Sequence, residues 1–290
     1  MGAFLDMTGA NNDSTVRRFS IQRFDHGSLE RAMDVVAAEE PLEIRLNYWF
    51  KEARMSESVA VTMRTPGQDL ELAAGFLLSE GIVRDRAEIL EIHSLGIEPS
   101  NEVVVELTND VDVNGWKLKR NTVLGASCGI CGKRTREAIA QEYPVRVPDG
   151  AHFPAGLIES LPAFLCERQT GFLQTGGLHG AALVNAEGGI EASFEDIGRH
   201  NALDKLLGAC LLGGRIPLGG EIVFLSSRAS FELVQKTAMA GGSVLATVGG
   251  PSSLAIEAAR DCGMTLIGFV RANRFNIYSG EWRIETGQPA

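Results

Sequence analysis

Apolar and polar residues alternate along three segments in the first half of the chain, which is the pattern of half-buried strands. These segments are residues 42–48, 59–64 and 103–107. Between the last two of them, residues 69–80 have the apolar spacing of a helix, and Asp69 can cap its first turn. We therefore predict a strand-rich N-terminal domain over residues 19–124, preceded by a flexible polar tail over residues 1–18.

The second half of the chain begins with the pattern of a β-hairpin over residues 180–194, followed by a helix over residues 199–212. Three apolar strand segments then alternate with two helical segments. In chain order they are residues 221–225, 231–240, 243–248, 253–261 and 264–270. Such alternation is typical of parallel strands joined by crossover helices. We predict a three-layer α/β domain over residues 138–290, which makes the chain α+β overall.

Composition and charge narrow the class of protein. The chain has 290 residues, of which 44% are hydrophobic and 22% charged, with a net charge of −10. These values fit a folded protein and argue against a disordered chain or one that binds nucleic acid non-specifically. The sequence shows neither a membrane-spanning apolar run nor a secretory signal pattern. We expect a cytoplasmic protein that binds neither nucleic acid nor membranes.

The cysteine count does not describe a disulfide framework, because five is an odd number and no secretory signal precedes them. Cys166, Cys210 and Cys262 stand singly among apolar neighbours, so we expect buried structural thiols. Cys128 and Cys131 differ, because they form a Cys-Gly-Ile-Cys motif.

The Cys128–Cys131 motif lies in a basic stretch, residues 113–136, that contains no Asp or Glu. Its six basic residues are Lys117, Lys119, Arg120, Lys133, Arg134 and Arg136. Cationic neighbours and a following helix start favour a thiolate over a thiol. We therefore predict a mobile basic loop over residues 125–137 that presents a nucleophilic, exposed cysteine beside a second thiol.

Three chemistries are compatible with such a pair. Structural zinc usually needs four ligands, and the sequence has no second Cys-x-x-Cys and no paired histidines at ligand spacing. A redox dithiol would be expected at the head of a helix in a compact βαβ fold, whereas here about 120 residues precede the motif. In a sulfur relay, one cysteine holds a persulfide and its neighbour assists transfer. The motif alone leaves the three open, and we expect no bound zinc.

The residues that follow the three predicted parallel strands suit a ligand crevice. They are residues 226–230, 249–253 and 271–274. Ligands of α/β sheets bind at the carboxyl ends of the strands, and hydroxyls and arginines such as Ser227 and Arg228 at helix starts suit phosphate. No P-loop or GxGxxG motif is present. We expect structural or capping roles for His179 and His200, with a role at the cofactor site as the alternative. His200 and Asp204 lie four residues apart on one predicted helix, a spacing that allows a hydrogen bond.

Several motifs together resemble the formate dehydrogenase accessory sulfurtransferase family (FdhD-type). In chain order they are EPLEI from residue 40, LAAGFLLSEG from 72, CGICG from 128, EDIGRHNALDK from 195 and SSRASFELVQK from 226. The likeness covers about residues 35–278. It implies a carrier that takes sulfur from a cysteine desulfurase to the bis(molybdopterin guanine dinucleotide) form of the molybdenum cofactor, before that cofactor enters formate dehydrogenase.

The resemblance also implies residue roles. Cys128 matches the persulfide cysteine and Cys131 the second cysteine, whose role is less defined. The implied cofactor-binding segment is Phe269, Val270, Arg271, Ala272, Asn273 and Arg274. A homodimer and a cytidine-deaminase-like C-terminal fold are implied too. Deaminase chemistry is not expected, because neither His179 nor His200 is followed by the Glu of H-x-E and Ser127 stands in place of Pro.

Two other functions compete with sulfur transfer. A dithiol–disulfide oxidoreductase would need both cysteines and no nucleotide. A non-catalytic chaperone of the cofactor would bind nucleotide and tolerate the loss of Cys128.

Overall fold

The N-terminal half of the chain forms a long hairpin and a four-stranded sheet. The computed structural model describes residues 14–96, 100–113, 147–149 and 151–287. Its first six strands are β1 (Val16–Asp25), β2 (Ser28–Ala37), β3 (Glu40–Phe50), β4 (Ala53–Arg64), β5 (Ile89–Ser94) and β6 (Glu102–Leu107). Strands β1 and β2 pair with each other, and the remaining four form a sheet in the order β4-β3-β6-β5. Helix α1 (Asp69–Ser79) connects β4 to a short 3₁₀ turn before β5.

Two details of the predicted N-terminal half are wrong. The predicted tail over residues 1–18 extends too far, because β1 begins at Val16 and pairs with β2 along its length. Asp69 does not cap α1 but is its first residue, after Gln68 in the N-cap position. Its carboxylate instead accepts hydrogen bonds from Nε and Nη2 of the buried Arg64 at 2.8 and 2.9 Å. A paired carboxylate is what a buried guanidinium requires.

The C-terminal half is built on a six-stranded mixed sheet in the order β13-β12-β11-β10-β8-β9. Its strands are β8 (His179–Val184), β9 (Ile190–Asp196), β10 (Ile222–Leu225), β11 (Val244–Thr247), β12 (Thr265–Arg271) and β13 (Arg274–Ser279). The short strands β7 (Phe153–Pro154) and β14 (Ile284–Glu285) pair separately. As predicted, β10, β11 and β12 are parallel and β8–β9 is a hairpin.

Helices cover both faces of this sheet. They are α2 (Ala155–Arg168), α3 (Thr170–Thr175), α4 (Arg199–Leu212), α5 (Phe231–Met239) and α6 (Ser253–Cys262). Phe153, Ile158 and Leu161 belong to the apolar cluster on one face of the sheet. The cluster on the other face includes α4, α5 and α6 and continues into α1 and the N-terminal sheet. The described parts of the two predicted domains therefore share one hydrophobic core.

Backbone contact between α1 and α4 joins the two halves. A Cβ atom added at Gly75 would lie 1.8 Å from the carbonyl oxygen of Asp204, and one added at Gly208 would lie 1.8 Å from that of Glu71. No side chain fits at these separations, so both positions require glycine. The absence of Cβ lets the two helices pack at the distance of their backbones.

A buried ion pair lies at the same contact. Lys236 of α5 donates to both carboxylate oxygens of Asp204 at 2.8 and 2.7 Å, and Ser79 of α1 donates to Asp204 at 2.7 Å. Burial raises the pKa of Asp204, and the charge of Lys236 opposes this effect. The predicted hydrogen bond between His200 and Asp204 is wrong, because these closer donors satisfy the carboxylate.

The three isolated cysteines do not behave alike. Cys210 and Cys262 are buried, as expected, and burial raises the pKa of Cys210 to about 12. Cys166 is exposed, so its predicted burial is wrong. It follows Leu165 in α2, and only Ile158, Leu161 and Leu165 of this helix are buried. Among the described residues, no helix is both long and apolar enough to cross a membrane.

We expect Gly75→Ala and Gly208→Ala each to lower the free energy of unfolding by about 3 kcal/mol or more, because the added methyl overlaps a backbone carbonyl. Urea denaturation measures this difference. The matched control is Gly156→Ala in α2, where an added Cβ meets nothing within 4 Å and stability should hold or rise. Equal stability of all three variants would refute the backbone contact.

Lys236→Met is expected to lower the free energy of unfolding by about 3–5 kcal/mol, because it leaves Asp204 buried without its cation. Arg17→Met is the control, since the Arg17–Glu40 pair is partly exposed and such pairs contribute about 0–1 kcal/mol. Denaturant midpoints compare the two losses. A loss no greater for Lys236→Met than for the control contradicts the prediction.

Candidate functional site

A crevice of about 290 Å³ opens at the carboxyl ends of β10, β11 and β12. Its polar lining consists of His179, Arg199, Ser226, Ser227, Arg228 and Arg271. Val248 and Gly249, which follow β11, complete the lining. Three loops that the sequence places after parallel strands therefore do meet at one cavity.

Sheet topology brings two further elements to this edge. Because β8 runs antiparallel to β10, the start of β8 at His179 lies beside the end of β10. Strand β9 returns antiparallel to β8 and ends at Asp196, three residues before α4 begins at Arg199. Five segments from the described part of the chain therefore contribute to the crevice.

Hydroxyl groups hold the loop after β10 in place. Ser226 accepts a hydrogen bond from the Gly180 backbone N–H at 2.8 Å, and its own N–H donates to the Gly180 carbonyl at 2.9 Å. Ser227 is buried and donates to the Arg228 carbonyl at 3.1 Å. The Ser227 carbonyl accepts from the Gly249 N–H at 2.9 Å. These bonds fix the backbone on which Arg228 is mounted.

Gly249 allows the loops after β10 and β11 to approach each other. A Cβ atom at this position would lie 2.6 Å from Cγ and 2.9 Å from Cα of Arg228. Any side chain at position 249 would push Arg228 out of place, so the position requires glycine.

Arg271 bridges two strand ends. Its Nη1 donates to the carbonyl oxygens of Val248 and Val270, each at 2.7 Å. The side chain thereby ties the loop after β11 to the end of β12. Among the described residues, its Nη2 has no hydrogen-bond partner, which leaves that nitrogen available to a ligand.

The crevice carries positive charge that described residues do not neutralise. Arg199, Arg228 and Arg271 have no carboxylate oxygen within 4.0 Å among the residues that the structure describes. The Nε atom of Arg199 is enclosed and lacks a hydrogen-bond partner there. Arg228 and Arg271 are exposed and Arg199 is half-buried, so the enclosed Nε of Arg199 is the one donor here that burial leaves in need of an acceptor. Phosphate or carboxylate oxygens can accept from guanidinium groups in pairs. An anionic ligand would complete this site.

Two histidines lie near these cations, and the pKa of each is lowered from its ordinary value. Burial, followed by the charge of Arg199, lowers the pKa of His179, while Asp196 opposes the shift and Arg228 adds to it. Burial and the charge of Lys236 lower the pKa of His200 to about 4. His200 does not line the crevice, and its Nε2 lies 3.5 Å from Oγ of Ser230.

The predicted binding segment 269–274 is divided by the structure. Phe269 is 45% exposed, has a φ of 54°, and packs its ring on the backbone of Gly250. Val270 is fully buried in the sheet core. Only Arg271 of this segment lines the crevice.

The rest of the segment lies beyond the crevice lining. Ala272 and Asn273 form the turn between β12 and β13, and Arg274 is the first residue of β13. Arg274 faces Arg271 across that turn as its strand partner. Their proposed contacts to a cofactor stay predictions.

Arg199 is a lining residue that sequence reasoning missed. It follows a hairpin, and nothing in its neighbours marks it as part of the predicted strand-end loops. The available signal is indirect: an antiparallel pairing of β8 with β10 would bring the end of β9, and hence the start of α4, to the crevice edge.

Cys128 and Cys131 lie outside the described residues, so their predicted thiol chemistry stays a prediction. Within the described ranges, no group of three or more His, Cys, Asp or Glu side chains is placed to hold a metal ion.

Comparison with protein families finds one matching model over most of the chain. The FdhD/NarQ family model matches residues 37–285. A solved structure of a protein assigned as a formate dehydrogenase accessory protein, from Desulfotalea psychrophila, is also similar. The similarity covers 93% of this chain and 100% of that one, with a TM-score of 0.73 and 26% sequence identity.

Curated relatives match at nearly full length. A sulfur carrier protein FdhD from Streptomyces avermitilis is 42% identical over 275 residues, which is 92% of this chain and 95% of the relative. One from Mycobacterium tuberculosis is 41% identical over 87% of this chain and 92% of its own. One from Sulfolobus acidocaldarius is 38% identical over 93% of this chain and 99% of its own.

Arg228→Ala and Arg271→Ala are each expected to weaken binding of inorganic pyrophosphate about tenfold or more, because each removes charge-assisted hydrogen bonds. Isothermal titration calorimetry at pH 7 measures the dissociation constants. Arg168→Ala is the matched control: it removes the same charge from an exposed position at the end of α2, outside the lining, and should change binding less than about threefold. If Arg168→Ala weakens binding as strongly as the others, the assignment of the crevice is wrong.

Proposed function

The chain belongs to the FdhD/NarQ family, and on that premise we propose that it carries sulfur on Cys128 to the molybdenum cofactor of formate dehydrogenase. The names of its relatives, sulfur carrier protein FdhD, support a role in sulfur transfer. The assignment of the Desulfotalea psychrophila protein supports a connection to formate dehydrogenase. The finer steps rest on the site and on the sequence around the cysteine pair.

The observation that carries the proposal is the crevice of unneutralised arginines. The bis(molybdopterin guanine dinucleotide) cofactor, here the cargo, carries a diphosphate in each nucleotide arm. Arg199, Arg228 and Arg271 line a cavity at strand ends without a carboxylate partner among the described residues. This donor set fits a diphosphate, since guanidinium groups bind phosphate oxygens in pairs. We assign these three side chains to hold the nucleotide arm of the cargo.

Cys128 performs the sulfur chemistry in this proposal. Its thiolate attacks the outer sulfur of a persulfide on a cysteine desulfurase, a new S–S bond forms on Cys128, and the donor cysteine leaves as a thiolate. The basic residues around the motif favour the attacking thiolate. Cys131 assists the release as a thiolate that attacks the inner sulfur of the Cys128 persulfide. The bond to the outer sulfur breaks, that sulfur leaves as hydrosulfide for the cofactor, and the Cys128–Cys131 disulfide left behind is reduced by an external dithiol. Of the three thiols that the structure describes, Cys210 and Cys262 suit this role less because they are buried. Cys166 is exposed but lies outside the basic stretch around the motif.

The competing functions predict different behaviour of the same residues. A chaperone without sulfur chemistry would use the arginine crevice and would not need Cys128. A dithiol–disulfide oxidoreductase would need both cysteines and leave the crevice without a purpose. The unneutralised arginines favour a function that includes an anionic ligand, and the persulfide must be measured directly. The cytoplasmic location, the homodimer and the cytidine-deaminase-like fold stay predictions.

The test is intact mass spectrometry after incubation with a cysteine desulfurase and cysteine. We expect the wild-type chain to gain one sulfur atom that a reductant removes, and Cys128→Ala to gain none, because its nucleophile is absent. Cys166→Ala is the matched control, since Cys166 is an exposed thiol outside the motif, and it should gain sulfur like the wild type.

Three other results would replace the proposal. No sulfur on any variant, with an active desulfurase, favours the chaperone. A loss of two hydrogens without a gain of sulfur, in the wild type and in Cys166→Ala but not in Cys128→Ala, favours the dithiol enzyme. If Cys128→Ala still gains sulfur and Cys166→Ala does not, Cys166 is the sulfur acceptor and the assignment of Cys128 is wrong.

A further inference from the structure

Among the described residues that line the crevice, His179 is the one side chain besides the arginines that can gain or lose a proton near neutral pH. We propose that His179 is the proton-linked ligand contact of the crevice: it takes up a proton when a diphosphate binds among Arg199, Arg228 and Arg271. This inference rests on the proposed function, because it takes the same cavity as the site of the nucleotide arm.

His179 lies on the wall of the crevice. His179 is the first residue of β8 and lines the cavity together with all three arginines. The β8 backbone is fixed at this point, since Gly180 exchanges two hydrogen bonds with Ser226. His179 therefore stands at a fixed place on the wall of the anion site, where a bound diphosphate lies close to its ring.

Charged groups on three elements act on the ring of His179. Arg199 on α4 and Arg228 on the loop after β10 disfavour a protonated ring, and they lower the pKa of His179 in addition to its burial. Asp196 on β9 is its strand partner and favours protonation. The carboxylate of Asp196 is already paired with Lys205 at 2.8 Å, so its influence is partly compensated. His200 on α4 also lies within electrostatic range.

A diphosphate reverses this balance. It brings two negative charges that pair with the arginines, which removes the arginine contribution to the lowered pKa of His179, and it places an anion beside the ring, while burial still lowers this pKa. The pKa of His179 is then higher in the complex than in the free protein. Affinity must rise as pH falls through the value of the complex, because the complex binds more protons than the free protein.

The probe must not titrate in the same range. A terminal phosphate has a second pKa near 6, so a free nucleoside diphosphate would obscure the histidine. Guanosine diphosphate mannose avoids this problem: its diphosphate is esterified at both ends, as in the cofactor arm, and its charge is constant between pH 6 and 8. Calorimetry in two buffers of different ionisation enthalpy then measures the protons taken up on binding.

For the full-length wild-type protein we expect the probe to bind about threefold or more tightly at pH 6 than at pH 8, with net proton uptake at pH 6.5. His179→Asn should lose both the pH dependence and the uptake. His179→Lys carries a charge throughout this range and should bind without pH dependence. His200→Asn is the matched control: this histidine lies outside the lining, so the variant should keep the wild-type dependence. Far-UV circular dichroism identifies any variant that does not fold.

The outcomes separate this inference from the proposed function. No binding of the probe by the wild type at either pH overturns the assignment of the crevice and this inference with it. Binding without pH dependence or proton uptake overturns only the role of His179. The role of His179 is also overturned if the folded His179→Asn variant keeps the wild-type pH dependence of binding, or if His200→Asn abolishes that pH dependence. If His179→Asn does not fold, the His179→Lys variant decides: binding of the probe that still depends on pH overturns the inference.

Discussion

Backbone contact between α1 and α4 is the constraint on which the architecture depends. With Gly75 and Gly208 each facing a carbonyl of the other helix, the helices could not pack this closely with a side chain at either position. This contact places α1, which follows the N-terminal sheet, on a helix that belongs to the C-terminal sheet. Helix α4 begins at Arg199, so the helix held by this contact also carries a lining residue of the crevice.

A buried polar network then fixes the turn between β9 and α4. Asp196 is fully buried and accepts hydrogen bonds from the backbone N–H groups of Thr65 and Gly198, from the Asn201 amide and from Lys205. Thr65 belongs to the N-terminal half, so the network again joins the halves. Such a satisfied network rigidifies its surroundings more than it stabilises the fold. Its place directly behind the crevice gives the anion site a fixed wall.

Helices and strands whose apolar residues recur at one regular spacing were predictable from the sequence. Elements without such a spacing were not. The bounds of α4 match the prediction because its apolar stripe is regular and glycine precedes and follows it. Strands β1 and β2 escaped notice because both faces of their hairpin are largely exposed, and Phe24 at 69% exposure carries no information about a core. Asp69 satisfied the pattern of a cap, yet a buried arginine five residues earlier decided its partner.

Part of the crevice was predictable from the order of elements along the chain, and part depends on long-range strand pairing. Its three strand-end loops follow from the order of strands and helices, since parallel strands must end on one edge. Neither Arg199 nor His179 follows from local sequence, because their place depends on how a hairpin pairs with β10, which is a long-range property. The roles of Ala272, Asn273 and Arg274 were predicted from a contiguous motif and stay predictions. Neighbours in sequence need not share a cavity, and of residues 269–274 Arg271 alone lines the crevice.

Local cations in an acidic chain have a physical consequence for selectivity. With a net charge of −10, the protein as a whole repels polyanions, so extended phosphate backbones gain little from a few arginines. A compact diphosphate that reaches the strand ends meets three guanidinium groups and a neutral histidine at short range, inside the distance over which salt screens charge. Whole-molecule repulsion and short-range attraction together favour small anions over large ones. That preference suits the proposed cargo, which would present separate diphosphates rather than an extended phosphate chain.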